Sequence, residues 1–306
     1  MRLKVAFTAA ILTLCSAVWP NIVAQETTTT TQKPTVKTQR TTLNAQQTSI
    51  KWHGHAAYTI TTPRGKVLMV DPWLKNPANP EVKNGGNPLS SIQKADYILI
   101  THGHFDHVGE AVELAKKTGA RLVTNFELGT NMTKILGYPK AQANLDTLMN
   151  IGGEVPIADG EVTVAMIPAI YSSSIQNPNP GPKEPELVYG GNPSGFVLLI
   201  KNGPTIYHTG DTAYYRDMEL IGERYRPDVA LVNIGGHFGM EPEMAAKAAA
   251  AAKAKLATPQ HFATFPVITQ DPKSFANALK KEGIPYLLMR PGGAITFQGK
   301  QLAKAQ

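Results

Sequence analysis

Cysteine is almost absent from this chain: Cys15 is the only one, and it lies in an N-terminal leader. Once that leader is removed no thiol remains, which excludes a disulfide framework and any thiolate metal site. A metal, if there is one, must be held by His, Asp or Glu. Charge of one sign is also scarce. The formal net charge of +7 is inflated by Arg2, Lys4, Lys33, Lys37 and Arg40, which precede residue 49 with Glu26 as the only acid there, so residues 49–306 carry just +3. Aromatic residues make up 7% of the chain and are not interleaved with a basic run. Nothing therefore favours a nucleic-acid partner.

Long apolar runs are missing too, except at the start. Met1 to Lys4 is basic, Val5 to Val18 is mostly apolar, and Ala24 closes a possible cleavage site. Residues 1–24 read as a secretory signal peptide, which implies a periplasmic or secreted protein with no stable membrane span after cleavage. An uncleaved anchor is the competing reading. Lipidation at Cys15 is disfavoured because Leu14 is not the small residue such a site prefers. Residues 25–48 contain ten threonines among 24 positions and too little apolar surface for a core, so they read as a disordered linker. One folded domain, 49–306, remains.

Within it, short apolar strands are expected at Ala57–Thr61, Val67–Val70, Tyr97–Ile100, Arg121–Thr124, Val162–Ile167, Phe196–Ile200, Thr205–His208, Val229–Asn233, Lys255–Pro259, Tyr286–Met289 and Ala294–Phe297. Helical patterns fall at Val108–Lys117, Phe126–Leu136, Pro242–Ala254 and Lys273–Glu282, the last stopped by Gly283. The alternation gives an α/β fold. Residues 95–124 and 227–258 share one plan: Asp, apolar strand, Gly/His loop, helix, strand. Each is preceded by a strand leading to an Asp, Asp71 and Asp211. A duplicated unit of this kind predicts two facing sheets with helices outside and an internal pseudo-two-fold. Gln176 to Pro193, rich in Pro, Gly and Asn, reads as a long loop bordering a site.

Histidine is scarce as well, but its placement is not random. The eight are His53, His55, His102, His104, His107, His208, His237 and His261, each at a strand end or in a glycine-bearing loop. In α/β proteins those loops gather where ligands bind. The stretch His102-Gly103-His104-Phe105-Asp106-His107 suits two metals better than one, because one short segment cannot close two four-ligand shells. Asp211 in HTGDT and His261 in PQHF are the best later partners.

WHGHAAY (52–58), VDPW (70–73), THGHFDHVGE (101–110), HTGDT (208–212), IGGHFGMEP (234–242) and PQHFATFPV (259–267) together resemble the metallo-β-lactamase superfamily. The flanking motifs are similar to its metal-dependent hydrolases related to L-ascorbate-6-phosphate lactonase. That resemblance implies an αββα four-layer sandwich with one or two divalent metal ions at a sheet edge. Zinc is the first choice, with manganese or iron open. By position, His102 and His104 would bind the first metal, Asp106, His107 and His261 the second, and Asp211 would bridge, with the buried Asp71 holding a ligand from behind. One position departs: where the family places a further histidine, this chain has Tyr171. Three outcomes stay open. Tyr171 ligates, or His53, His55 or His237 substitutes, or the first site is weakened, which is the favoured reading.

The activity this implies is hydrolysis of a small-molecule ester or lactone by water acidified on the metal. Asp106 or Asp211 would orient that water. His237, His55 and Tyr171 are candidates for touching substrate, and His53 and His208 for supporting the site. A metal-dependent phosphodiesterase is the second reading. A non-catalytic periplasmic binding protein with a decayed site is the third.

Overall fold

The computed structural model describes residues 47–305. The leader, and the linker up to residue 46, lie outside the described residues. Thr48, read as the end of the linker, already opens the first strand. No helix among the described residues is long and apolar enough to cross a membrane.

The strands are β1 (Thr48–Trp52), β2 (Tyr58–Thr61), β3 (Val67–Val70), β4 (Tyr97–Leu99), β5 (Arg121–Asn125), β6 (Leu148–Met149), β7 (Glu154–Ile157) and β8 (Val162–Pro168). They continue with β9 (Ser174–Gln176), β10 (Leu187–Tyr189), β11 (Ser194–Ile200), β12 (Thr205–His208), β13 (Val229–Asn233), β14 (Ala257–Gln260), β15 (Ala294–Gln298) and β16 (Gln301–Ala305). One sheet has the order β16-β15-β1-β2-β3-β4-β5-β6, the other β14-β13-β12-β11-β8-β7. Leu68, Val70, Tyr97 and Leu99 of the first sheet share one core with Val164, Phe196, Leu198 and Ile206 of the second. Alternate residues Met69, Ile98 and Ile100 face the other way, against Leu114 and Ala115 of helix Ala111–Thr118 and Leu128 of helix Phe126–Asn131. Helices Pro242–Ala251 and Lys273–Glu282 join the core beside the second sheet through Ala245, Ala249, Phe275 and Leu279. The result is four layers, αββα. The period-2 switch of side chains across each strand is what lets one strand serve two layers.

The halves repeat. Strands β1 to β5 run antiparallel, antiparallel, parallel, parallel, and so do β8, β11, β12, β13 and β14. The same polar clamp recurs in each. Asp96 N donates to Val67 O while Val67 N donates to Asp96 Oδ2, both at 2.8 Å. Asp228 N and Oδ2 treat Thr205 identically, again at 2.8 Å.

Several boundaries differ from the sequence reading. The helix expected at Val108–Lys117 is two pieces, Phe105–Val108 and Ala111–Thr118. The break is Gly109, at φ 37°, where a Cβ would sit 2.4 Å from Trp73 Cα. The helix expected to reach Leu136 turns into a π-helix over Met132–Leu136, and that expected to reach Ala254 stops at Ala251. Tyr286–Met289 is no strand and makes only a bridge from Tyr286 to Ala257. The loop from Gln176 to Pro193 overlaps a small hairpin, β9 with β10. Strand β16 was missed because every residue in it is exposed, so no apolar alternation marks it.

Candidate metal centre

Each half contributes its strand ends to one edge of the sandwich. Beyond β4 come Thr101 and His102. Gly103 then passes so close to Ser174 that a Cβ would lie 2.9 Å from its carbonyl oxygen. His104 caps the one-turn helix Phe105–Val108, which carries Asp106 and His107. Asp71, after β3, accepts from Thr101 N at 2.8 Å, Thr101 Oγ1 at 2.7 Å and His107 Nδ1 at 2.8 Å. Thr101 has spent its hydroxyl hydrogen on Asp71, so His102 Nδ1 is the donor in the 3.1 Å contact between them. Both imidazoles are thereby held by Nδ1 and turn Nε2 toward the centre.

At the centre stands Asp211, after β12. Asn233 Nδ2 donates to its Oδ1 at 2.6 Å. Its Oδ2 lies 3.1 Å from His261 Nε2, 3.3 Å from His107 Nε2 and 3.9 Å from His102 Nε2. Yet His107 Nε2 and His261 Nε2 are buried without a hydrogen-bond partner. The nitrogens crowd the carboxylate at distances of 3.1 and 3.3 Å without the geometry of a hydrogen bond to it. Groups that converge on a shared point in this way are arranged as ligands.

His55 and His261 come from turns, and both adopt left-handed backbone, φ 52° and 59°, as does Asp71 at 42°. Such conformations persist only where the surroundings enforce them. The His55 carbonyl accepts from Trp52 Nε1 and from His261 N, each at 3.0 Å, tying the two turns together. His55 Nε2 lies 3.0 Å from Asp106 Oδ2 and Nδ1 lies 2.6 Å from Thr264 Oγ1. Two sets of candidate ligand atoms result, each within 4.8 Å: His55, Asp106, His107 and His261, and His102, His107 and Asp211.

The electrostatics separate the histidines. Burial pushes His55 down to about 3, helped by His261. Burial, with His107 second, holds His102 well below the usual range, and burial also lowers His104. His107 and His261 go the other way. Burial opposes their charge, but Asp211 overrides it for both, with Asp71 acting on His107 and Asp106 on His261, which rises to about 9. Burial likewise opposes ionisation of Asp211 and Asp106, and the neighbouring imidazoles win, so both carboxyls fall below the usual range. Among the described residues the ion-pair partners of Asp71, Asp106 and Asp211 are all histidines, with no Lys or Arg. Buried carboxylates of this kind suit a divalent cation.

Not every sequence candidate arrives at the cluster. His104 Nδ1 is 3.0 Å from His102 Nε2, but His104 belongs to neither ligand set. Tyr171 sits where the missing histidine was expected, its ring 5.5 Å from that of His102 and 5.6 Å from that of His104. Burial and the charges of Asp211 and Asp106 push its phenol up, so it stays a proton donor. His55 does not fill the first site; it joins the second group. His237 is exposed, stacks edge-on against its neighbour Phe238 and belongs to neither ligand set, so it does not stand in for the missing imidazole. His208 is buried as a brace: Nε2 lies 3.2 Å from Ala56 O, and Gly210 N donates to Nδ1.

His53 is also a brace, its Nε2 2.7 Å from Thr59 Oγ1, whose own hydrogen goes to Met69. Burial first and Lys51 second lower its pKa to about 4. Between that value and 6.5 the unfolded chain takes up a proton that the folded one refuses, so this contribution is intact above pH 6.5 and lost as pH falls toward 4. Replacing His53 with Gln should remove about 3 kcal/mol of the pH dependence of unfolding across that window, measured by urea denaturation.

Sequence reasoning missed Thr101, Asn233 and Thr264. The internal repeat carried the signal for one of them: Asn233 ends β13 as the counterpart of the Thr101 region after β4, and each braces the carboxylate of its own half.

A protein-family profile described as beta-lactamase superfamily domain matches residues 66–262. The chain is 44% identical over 241 residues to a UPF0173 metal-dependent hydrolase of Thermodesulfovibrio yellowstonii, covering 79% of this chain and 88% of that one. It is 47% identical over 249 residues to a UPF0173 metal-dependent hydrolase of Anaeromyxobacter dehalogenans, covering 81% and 86%. Among solved structures it is similar to Igni18, a metallo hydrolase from Ignicoccus hospitalis, with a TM-score of 0.68, 29% identity, and coverage of 82% of this chain and 98% of that one.

Proposed function

This chain belongs to the metallo-β-lactamase superfamily as a metal-dependent hydrolase, and from that premise we propose that it hydrolyses a small ester or lactone at the Asp211 cluster. The observation that carries the placement is the pair of buried, unpartnered nitrogens, His107 Nε2 and His261 Nε2, crowded on Asp211 Oδ2. His107, His261, Asp211 and Asp106 would hold one cation, zinc before manganese or iron, with His102 and His104 offering a weaker second position next to Tyr171. A divalent cation bound there supplies Lewis acidity, which polarises a carbonyl and makes water acidic near neutral pH.

The chain's own groups do the rest. His55, neutral at working pH, accepts from Thr264 at Nδ1 and donates from Nε2 to Asp106 Oδ2. That fixes Asp106 and leaves its other oxygen to orient the attacking water by accepting a hydrogen bond from it. Tyr171 keeps its proton and donates a hydrogen bond to the oxygen that gains charge. Neither a phosphodiesterase nor a non-catalytic binding protein has an observation of its own in favour. Export after cleavage behind Ala24 is carried as part of the same proposal, and N-terminal sequencing of the mature protein tests it. For the reaction, the test is turnover of neutral lactones and of bis-p-nitrophenyl phosphate, before and after chelation. We expect lactone turnover that chelation abolishes and zinc restores. Faster phosphodiester turnover would overturn the substrate class.

A further inference from the structure

A cavity of about 530 Å³ opens directly onto the cluster, with His104, Asp106 and His261 in its wall. The rest of its lining is mostly apolar. Phe105, Phe238 and Val267 reach it while 58%, 46% and 60% exposed, which leaves three large hydrophobic side chains around one opening. Phe265 backs them, stacked on Trp73 at 5.5 Å and 11°. Tyr171 and Ser172 are the uncharged polar groups on this wall, and none of the lining residues is Lys or Arg. Recognition of a phosphate or carboxylate calls for Arg, Lys or a nest of backbone N–H groups. Exposed aromatics beside a reactive cluster instead call for an apolar occupant that removes them from water.

We infer that the substrate is an uncharged ester or lactone whose alkyl or aryl part fills this cavity, and that it carries no phosphate. The inference rests on the ester or lactone reading above. It also departs from the resemblance to a sugar-phosphate lactonase, because no Lys or Arg lines this wall to pair with a phosphate. The acyl C–O bond sits toward Asp106 and Tyr171, and the apolar part lies against Phe238, Phe265 and Val267. Water alone balances the reaction: its oxygen joins the acyl carbon, the acyl C–O bond breaks, and the released oxygen takes up a proton.

Two measurements on the metal-loaded protein separate this inference from the reading beneath it. The first is kcat/KM along γ-butyrolactone, γ-octalactone and γ-dodecalactone. We expect a rise of roughly two- to fourfold per methylene buried, flattened in Phe238→Asp and Val267→Asp variants. The second is fluorescence of the uncharged probe N-phenyl-1-naphthylamine, bound by the protein and displaced by γ-dodecalactone but not by γ-butyrolactone. Lactone turnover with no chain-length dependence would overturn the apolar-substrate inference and leave the lactone reading standing. Probe binding with chain-length-dependent displacement, but no turnover of any lactone, would keep the apolar cavity and remove the lactone reading. Failure of the probe to bind would overturn the inference outright.

Discussion

Replacing Asp211 with Asn is expected to lower kcat/KM by roughly a thousandfold or more, well beyond the 10- to 100-fold typical of removing a group behind a ligand. The side chain is nearly isosteric and Asn233 can still hold it, so the fold should survive. What disappears is the negative charge. Asp211 Oδ2 is the oxygen common to His102, His107 and His261, and an amide there cannot neutralise a divalent cation. Metal affinity should fall with activity, read by competition with a coloured chelator. Circular dichroism of the variant checks the fold. Unchanged metal affinity in a folded Asp211→Asn protein would place the centre elsewhere.

The second large effect is expected behind the site. Asp71 is fully buried and serves three donors, Thr101 N, Thr101 Oγ1 and His107 Nδ1. Asp71→Ala strands Thr101 N and His107 Nδ1 in a dry environment, and it puts Ala at φ 42°, a left-handed conformation that Asp tolerates better. Breaking a buried pair on one side costs about 3–5 kcal/mol, so the metal-free variant should lose about 4 kcal/mol in urea. Asp71→Asn keeps the shape and the backbone preference but offers one acceptor oxygen where there were two. It should lose roughly half as much stability and weaken metal binding about 10- to 100-fold, because His107 is no longer oriented. A loss below about 1 kcal/mol in Asp71→Ala would mean that this network is not what holds His107.

The sandwich was legible in the sequence because its two halves repeat and because most core strands are short apolar runs between turn residues. Tyr286–Met289 and β16 show the limit. The first is apolar but sits between Pro285 and Pro291, and only Tyr286 finds a bridging partner. The second is exposed throughout and pairs on an edge, where the backbone alone decides. At the site, the histidine-rich segment announced itself by composition. His55 was harder to place, since its position follows from a left-handed turn and from a shared carbonyl contact with His261, 206 residues away. His237 had the right residue type in the right kind of loop, but the short turn Gly236–Phe238 faces it to solvent. Motif spacing says which residues can ligate, and only tertiary contacts say which of them share a point in space.

Metal content of the purified chain, measured by elemental mass spectrometry beside Asp211→Asn and Tyr171→His variants, tests the centre most directly. We expect about one divalent ion per chain, its loss in Asp211→Asn, and a rise toward two in Tyr171→His, where an imidazole completes the His102–His104 position. No bound metal in the unaltered protein, even after reconstitution with zinc, manganese or iron, would contradict the assignment of this cluster as a metal centre.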